Sequence, residues 1–228
     1  MEDSNKKNIN LAPYIDQTLL KADATELEIR NLCEISIKHK FKGVCTNSRF
    51  TNLVAKQLSG TNILPVTVVG FPLGACGSYI KKFEALYAIE NGAQEIDMVI
   101  SIGALKEKNW SFVEEDIKLV CSSHPTPVKV ILETCLLTNE EIVEACKIAE
   151  AAGAAYVKTS TGFSTAGATL ASVKLMKESV SSLLGVKASG GIKTREQALQ
   201  FIEAGATRLG TSSGDLLVLG QEIKDTLY

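Results

Sequence analysis

Five charged residues fall within or at the end of segments that are otherwise typical of buried β-strands. They are Asp97 in EIDMVI, Lys129 and Glu133 in VKVILET, Lys158 in YVKTSTG and Lys187 in GVKASGG. A charge in a strand that is buried on both faces is costly unless it is paired or used in chemistry. Because Asp97, Lys158 and Lys187 lie near the C-terminal ends of their strand candidates, where barrel enzymes place their reacting groups, we expect the two lysines and carboxylates to point into one mouth. Buried ion pairs with a purely structural role are the alternative interpretation.

Two lysines close together indicate chemistry that uses a neutral amine. Only a neutral lysine can attack a carbonyl carbon, and a free lysine, with a pKa of about 10.4, is neutral in roughly one molecule of 2,500 at pH 7. A second ammonium nearby and partial burial both disfavour the charged form. We therefore expect Lys187 to lie beside Lys158 and to activate it for Schiff-base formation.

Small residues follow three of the later strand candidates, where a barrel enzyme binds its substrate. Gly162 follows the sixth candidate, Gly190 and Gly191 follow the seventh, and Ser212 and Ser213 follow the eighth. Barrels often hold a substrate phosphate with the loops after strands seven and eight. Glycine permits close approach of the backbone, and amides at a helix start favour an anion. A Gly-Gly or Ser-Ser pair alone is typical of an ordinary turn. Because one such pair follows the seventh strand candidate and another follows the eighth, we expect a small sugar phosphate as the substrate.

The elements that would position these residues alternate regularly between strand and helix. Thr25, Thr138 and Thr194 each begin a capping-box pattern that predicts a helix start. Nearly continuous apolar strands between helices predict a parallel sheet covered on both faces, and eight candidates favour a closed (β/α)₈ TIM barrel over an open sheet. We expect one barrel domain over residues 12–228, preceded by a disordered extension over residues 1–11. The strand candidates cover residues 14–18, 43–46, 64–69, 95–100, 128–132, 156–159, 186–188 and 207–210.

Composition restricts the function classes further. The chain has 228 residues, 45% of them hydrophobic and 22% charged, with a net charge of −2. These values are typical of a soluble globular protein and predict neither a nucleic-acid partner nor a membrane partner. Six scattered cysteines, with no C-x-x-C pair, predict free thiols in the cytoplasm. His39 and His124 are the only histidines and stand apart, so we expect no metal site.

Six segments of the chain resemble the deoxyribose-phosphate aldolase family. They are IDQTLLKADAT, GVCTNSRF, EIDMVI, YVKTSTGF, GVKASGGIKT and LGTSSG, spread from about residue 12 to about residue 220. KTSTGF followed by KASGGI is far more specific than any single glycine motif. The resemblance therefore covers essentially the whole predicted domain.

This resemblance implies a class I aldolase without metal or other cofactor. Such an enzyme reversibly cleaves 2-deoxy-D-ribose 5-phosphate to acetaldehyde and D-glyceraldehyde 3-phosphate, in deoxyribose phosphate catabolism. Lys158 matches the family's Schiff-base lysine, and Asp97 and Lys187 match its acid/base pair, working through a water. The positions that match the family's phosphate loops are Gly162, Gly190, Gly191, Ser212 and Ser213.

Three positions complicate the resemblance. Phe163 stands where some members carry a lysine that would approach the phosphate, and Gln17 stands where several members carry histidine. Cys45, near the predicted barrel mouth, could react with aldehyde by-products, although a packed thiol is the favoured interpretation. The consequence of Gln17 stays open at this stage.

Two rival functions fit the same barrel. A sugar-phosphate isomerase would use a carboxylate base such as Glu133 and would need no imine-forming lysine. A non-catalytic sensor would bind the sugar phosphate and leave the paired lysines unexplained. For the aldolase we expect small sugar phosphates and aldehydes as the binding partners and a homodimer as the assembly, although no apolar patch in the sequence locates an interface.

Overall fold

Eight parallel strands close into a barrel in which each strand pairs with the next and β8 pairs with β1. The computed structural model describes residues 9–221. The predicted TIM barrel is confirmed, and the strand bounds agree with the predicted ones to within two residues. The strands are β1 (Ile15–Leu19), β2 (Gly43–Thr46), β3 (Leu64–Val69), β4 (Glu95–Val99), β5 (Val128–Ile131), β6 (Tyr156–Lys158), β7 (Gly185–Ser189) and β8 (Arg208–Thr211).

Helices cover the outside of the barrel. The predicted capping boxes at Thr25, Thr138 and Thr194 are all present, each with the threonine side chain bonded to the third amide of its helix. Thr169 begins a fourth capping box, with Ser172 as its third helical residue. The sequence pattern does not predict this box, because it requires glutamate or glutamine at that position. The helices are α1 (Glu26–His39), α2 (Thr51–Gln57), α3 (Ser78–Glu90), α4 (Ile102–Lys106), α5 (Trp110–Cys121), α6 (Asn139–Ala151), α7 (Leu170–Ser179), α8 (Arg195–Glu203) and α9 (Gly214–Leu219).

The apolar core lies mainly between the strands and the helices. It includes Ile96, Val130 and Val186 from the strands and Ala145 from α6, all fully buried. Within residues 9–221 no helix is both long enough and apolar enough to cross a membrane.

Leu11 marks where the described chain joins the core. Residues 1–8 of the predicted N-terminal extension lie outside the described residues. Leu11, at the end of that extension, is fully buried. The backbone oxygen of Ile9 accepts a hydrogen bond from Arg195 at 2.6 Å. The packing against the barrel therefore already includes residues 9–11.

Candidate active site

The two lysines predicted to lie side by side share one carboxylate oxygen. Lys158 ends β6 and is directly opposite Lys187 of β7 in the strand register. The side-chain nitrogens of both lysines donate to Asp97 Oδ2, each at 2.8 Å. Because both nitrogens lie 2.8 Å from the same oxygen atom, the distance between them is at most twice that value. The sequence prediction that Asp97, Lys158 and Lys187 converge is confirmed in its geometry.

A second layer of buried charges supports these three residues from below. Lys129 donates to the other oxygen of Asp97 and contacts Glu95, both at 2.7 Å. Arg208 reaches across the barrel to Glu95 at 2.9 Å and to Asp16 at 2.7 Å. Lys187 closes the network by donating to Asp16 at 2.5 Å. Asp16, Glu95 and Arg208 were not identified as site residues from the sequence, although all three lie in predicted strands or immediately at their ends.

The charges of this buried cluster balance only when one lysine is neutral. The cluster contains three carboxylates, four basic side chains and no exposed member, since every one of the seven is at most 5% exposed. Burial of an uncompensated charge is strongly unfavourable. Within residues 9–221, Lys158 makes a single ion-pair contact, whereas Lys129, Lys187 and Arg208 each contact at least two carboxylates. The geometry therefore selects Lys158 as the amine that gives up its proton.

The direction of each pKa shift follows from these contacts. Burial lowers the pKa of Lys158, and the nearby Lys187 ammonium lowers it further, against the opposing effect of Asp97. Lys187 is equally buried, but Asp16 and Asp97 together raise its pKa. Burial favours the neutral form of Asp97, but Lys129, Lys158 and Lys187 outweigh it and hold the pKa of Asp97 well below its usual value. The predicted influence of Lys187 on Lys158 is present, and burial is the larger cause.

Glu133, the base considered for an isomerase, bonds to the loop after β6. It lies beyond the end of β5 in a left-handed backbone conformation, with φ of 58°. Its carboxylate accepts from the amide of Thr161 at 3.3 Å and also from the Thr161 hydroxyl. Glu133 thus fixes the loop after β6 and makes no ion pair with the lysines in the described part of the chain.

Cys45 lies close to the cluster without being an accessible thiol. It is fully buried in β2, and burial followed by the charge of Asp97 raises the pKa of Cys45 to about 11. The thiolate, which is the reactive form, is therefore disfavoured at neutral pH. The interpretation of Cys45 as a packed thiol fits this environment.

A cavity of about 360 Å³ opens at the carboxyl ends of the strands. It adjoins the cluster, because a methyl group added at the lining residue Gly210 would lie 3.1 Å from Lys187 Cε. All five residues predicted to bind phosphate line this one cavity: Gly162, Gly190, Gly191, Ser212 and Ser213. Active sites of this fold lie at the same end of the barrel.

Two glycines in the loops of the cavity have unusual backbone conformations. Gly190 and Gly191 have φ of 90° and 78°, which orient their amides in a way that other residues rarely adopt. In the described residues, neither amide donates to a protein acceptor, and the same holds for Ser212. Gly190 also packs so closely on the backbone of Gly167 that a side chain would not fit at either position.

Gln17 organises the loop after β8, which answers the question that the sequence left open. Its side-chain nitrogen donates to the carbonyl of Ser212 at 3.1 Å, and its side-chain oxygen accepts from the amide of Gly214 at 2.9 Å. The carboxamide therefore fixes the backbone on both sides of Ser213.

Phe163 lines the cavity, and two lysines line it as well. Phe163 is 55% exposed and contacts the edge of Phe71, with ring centres 5.2 Å apart. Lys21 and Lys193, neither of them identified as site residues from the sequence, line the same cavity. The chain thus supplies positive charge to the cavity from the loops after β1 and β7.

The fold and this site define a (β/α)₈-barrel enzyme with a buried lysine–aspartate centre next to a glycine-lined cavity. The sequence profile described as "DeoC/LacD family aldolase" matches residues 11–216. The chain belongs to this aldolase family.

Individual relatives agree with the profile over nearly their full lengths. The deoxyribose-phosphate aldolase of Finegoldia magna is 56% identical over 213 residues, which cover 93% of this chain and 100% of that protein. The enzyme of the same name from Clostridium novyi is 50% identical over 222 residues, covering 96% and 100%. The tetrameric structure of deoxyribose phosphate aldolase from Aeropyrum pernix superimposes with a TM-score of 0.84 at 32% identity, covering 92% of this chain and 89% of that one.

Proposed function

We propose that this protein is a metal-independent class I aldolase that reversibly cleaves 2-deoxy-D-ribose 5-phosphate to acetaldehyde and D-glyceraldehyde 3-phosphate. One structural observation carries the proposal: a buried Lys158 amine, bonded at 2.8 Å to an aspartate that also holds a second lysine, lies beneath a glycine-lined cavity. The family and its deoxyribose-phosphate aldolase relatives support the same conclusion.

The reaction begins with attack by the neutral amine of Lys158 on the C1 aldehyde of the open-chain sugar. A neighbouring acid protonates the hydroxyl group of the resulting carbinolamine, and departure of that group as water gives the protonated imine. A base then removes the proton of the C3 hydroxyl group, the C2–C3 bond breaks, and its electron pair moves into the imine. Glyceraldehyde 3-phosphate leaves, and an uncharged enamine stays on Lys158.

The charge balance of the cluster favours this bond cleavage. With Lys158 neutral, the three carboxylates balance Lys129, Lys187 and Arg208. The protonated imine adds one positive charge to a buried site, which is unfavourable, and formation of the enamine removes that charge again. The cluster therefore raises the free energy of the imine relative to the enamine, and this difference promotes electron flow out of the C2–C3 bond.

Asp97 and Lys187 are the groups that move protons during the remaining steps. Asp97 contacts the Lys158 nitrogen directly and can receive the proton released from the C3 hydroxyl through a water. Lys187 shares the same carboxylate oxygen and can return a proton to C2 of the enamine. Hydrolysis of the acetaldehyde imine then regenerates the free amine of Lys158.

The phosphate of the substrate would bind among the loops after β6, β7 and β8. Free amides at Gly190, Gly191 and Ser212 donate hydrogen bonds to it, while Lys21 and Lys193 supply positive charge. The loop residues proposed to bind it are Gly162, Gly190, Gly191, Ser212 and Ser213.

The cellular setting follows from less specific observations. All six cysteines are free thiols, as expected of a protein in the reducing cytoplasm. We take a homodimer as the working assembly, and the tetrameric relative from Aeropyrum pernix supports self-association in this family.

Product analysis tests the function. The protein is incubated with 2-deoxyribose 5-phosphate, and the carbon skeletons of the products are followed by ¹³C NMR. We expect acetaldehyde and glyceraldehyde 3-phosphate to appear with wild type and not with Lys158→Met, which keeps the length of the side chain but not its amine. A five-carbon ketose phosphate as the product would indicate an isomerase, and no turnover of a folded protein would leave a binding role.

A further inference from the structure

Gln17 is a buried side chain on β1 whose two polar atoms both bond to the loop after β8. It is 2% exposed, and in the strand register it lies opposite Thr211 of β8. Its nitrogen donates to the carbonyl of Ser212 at 3.1 Å, and its oxygen accepts from the amide of Gly214 at 2.9 Å. A carboxamide carries both a donor and an acceptor, so this one side chain anchors the loop at two points.

The anchor fits the loop closely and has one orientation. The oxygen of Gln17 must face the Gly214 amide and its nitrogen must face the Ser212 carbonyl, because the reverse would oppose two donors and two acceptors. A methyl group added at Gly214 would overlap the side-chain oxygen of Gln17 and lie 2.9 Å from Ile15 Cγ2. A glycine at this position is therefore needed to admit the carboxamide, and the loop has little freedom to shift around it.

The backbone groups of the anchored loop divide between the protein and the cavity. Within residues 9–221, Gln17 holds the carbonyl of Ser212, while the Ser212 amide donates to no protein acceptor. The amide of Ser213 donates to Thr211 Oγ1 at 3.1 Å, and Thr211 Oγ1 donates to the carbonyl of Ile192 at 2.9 Å. Ser212, Ser213 and Ile192 all line the cavity. The anchored backbone is thus connected through Thr211 to the loop after β7.

We propose that Gln17 is the positioning residue that gives this site its preference for a phosphorylated over an unphosphorylated sugar. The inference rests on the proposed function, in which the phosphate binds among these loops. A carbonyl oxygen carries a partial negative charge, so a Ser212 carbonyl that turned toward the cavity would repel the phosphate. Gln17 holds this carbonyl on the protein side. Because consecutive planar peptide groups share one Cα atom, the anchored carbonyl also restricts the direction of the Ser212 amide.

Gln17 can act on the phosphate without acting on the reactive lysines. Successive residues of a strand point to opposite faces, and its neighbour Asp16 bonds to Lys187 inside the barrel. Gln17 lies on the other face, and its side-chain hydrogen bonds within residues 9–221 go to the loop after β8 alone. A change at Gln17 should therefore alter binding of the phosphate and leave the covalent chemistry of Lys158 in place. A purely structural role would weaken the reactions of both sugars equally.

Steady-state kinetics of Gln17→Met with both sugars test the inference, since methionine keeps the length of the side chain and removes its hydrogen bonds. We expect the ratio of kcat/KM for 2-deoxyribose 5-phosphate to kcat/KM for 2-deoxyribose to fall roughly tenfold, through a higher KM for the phosphorylated sugar. Thr51→Val is the matched control, because Thr51 is 1% exposed, bonds to Thr67 at 2.8 Å and lies outside the cavity lining. It should lose a buried hydrogen bond and keep the ratio. An unchanged ratio in Gln17→Met would overturn the inference.

A second variant and a binding assay cover the case in which Gln17→Met fails to fold. Gly214→Ala keeps Gln17 and displaces its carboxamide, so it should lower the same ratio. Titration calorimetry with inorganic phosphate needs no turnover, and we expect both variants to bind phosphate roughly tenfold more weakly than wild type and Thr51→Val. Equal phosphate affinity in wild type and either folded variant would overturn the inference. Phosphate binding by a wild type that cleaves no sugar would instead refute the proposed function, so the two failures are distinguishable.

Discussion

Replacing Lys129 with methionine tests whether the charge count of the buried cluster controls the reactive amine. Lys129 contacts Asp97, Glu95 and, at 3.8 Å, Asp16, but it makes no contact with the Lys158 nitrogen. Lys129→Met leaves the cluster one negative charge in excess when Lys158 is neutral. Protonation of Lys158 restores the balance, so the substitution should raise the pKa of Lys158.

The size of the effect follows from the geometry around Asp97. Lys129 and Lys158 bind opposite oxygens of this carboxylate at 2.7 and 2.8 Å. Their nitrogens are therefore roughly 6 Å apart, and two unit charges at that distance repel by about 3 kcal/mol at an effective dielectric constant of about 20. Loss of this repulsion should reduce the neutral fraction of the Lys158 amine roughly a hundredfold near neutral pH.

The pH dependence of kcat/KM for cleavage of 2-deoxyribose 5-phosphate measures this change, because it reports ionisations of the free enzyme. We expect the acid limb of the Lys129→Met profile to move to higher pH and activity to recover as the pH rises. Lys81→Met is the control, since Lys81 is also fully buried but pairs with Asp116 between α3 and α5. It should lose stability, by about 3–5 kcal/mol, without moving the profile. An unmoved acid limb in folded Lys129→Met would refute the charge-balance reasoning.

Three further predictions concern stability and phosphate binding. Burial opposes ionisation of Asp16, but Lys187, Lys129 and Arg208 lower its pKa from 3.8 to about 2, so ionised Asp16 contributes about 2 kcal/mol above pH 4. Urea titrations should show this stability disappearing as the pH falls from 4 through 2, and constant stability over that range would contradict it. Gly190→Ala should lower the free energy of unfolding by more than about 2 kcal/mol, because Gly190 has a φ of 90° and an added methyl group would lie 2.9 Å from Gly167. Gly191→Ala should lower it by only about 1 kcal/mol, because Gly191 has open space around it. Lys193→Ala should raise KM for the phosphorylated sugar roughly fivefold, which corresponds to about 1 kcal/mol, and should leave the kinetics with unphosphorylated deoxyribose unchanged. Equal effects on both sugars would show that Lys193 does not bind the phosphate.

Much of the fold was predictable because its signals are local. The apolar strand runs and the capping boxes at Thr25, Thr138 and Thr194 depend on residues close in sequence. The convergence of Lys158 with Lys187 was also predictable, because neighbouring parallel strands bring equivalent positions together.

The lower layer of the cluster was not predictable by the same means. Arg208 on β8 meets Glu95 on β4, and this contact crosses the barrel between strands that are far apart in the sheet order. It depends on strand tilt and side-chain length, which no local pattern encodes. For the same reason the sequence could not rank burial above Lys187 as the main cause that lowers the pKa of Lys158. Lys21 and Lys193 reach the cavity through loop conformations that residue types alone do not specify.

Reductive trapping tests the central role of Lys158 most directly. The protein is mixed with 2-deoxyribose 5-phosphate and sodium borohydride, digested, and examined by peptide mass spectrometry beside Lys158→Met and Lys187→Met. Our account predicts a reduced sugar or ethyl adduct on Lys158 in wild type, none at this position in Lys158→Met, and a slower but still detectable adduct on Lys158 in Lys187→Met. An adduct that maps to Lys187 or Lys129, or active wild-type protein that is never labelled, would contradict it.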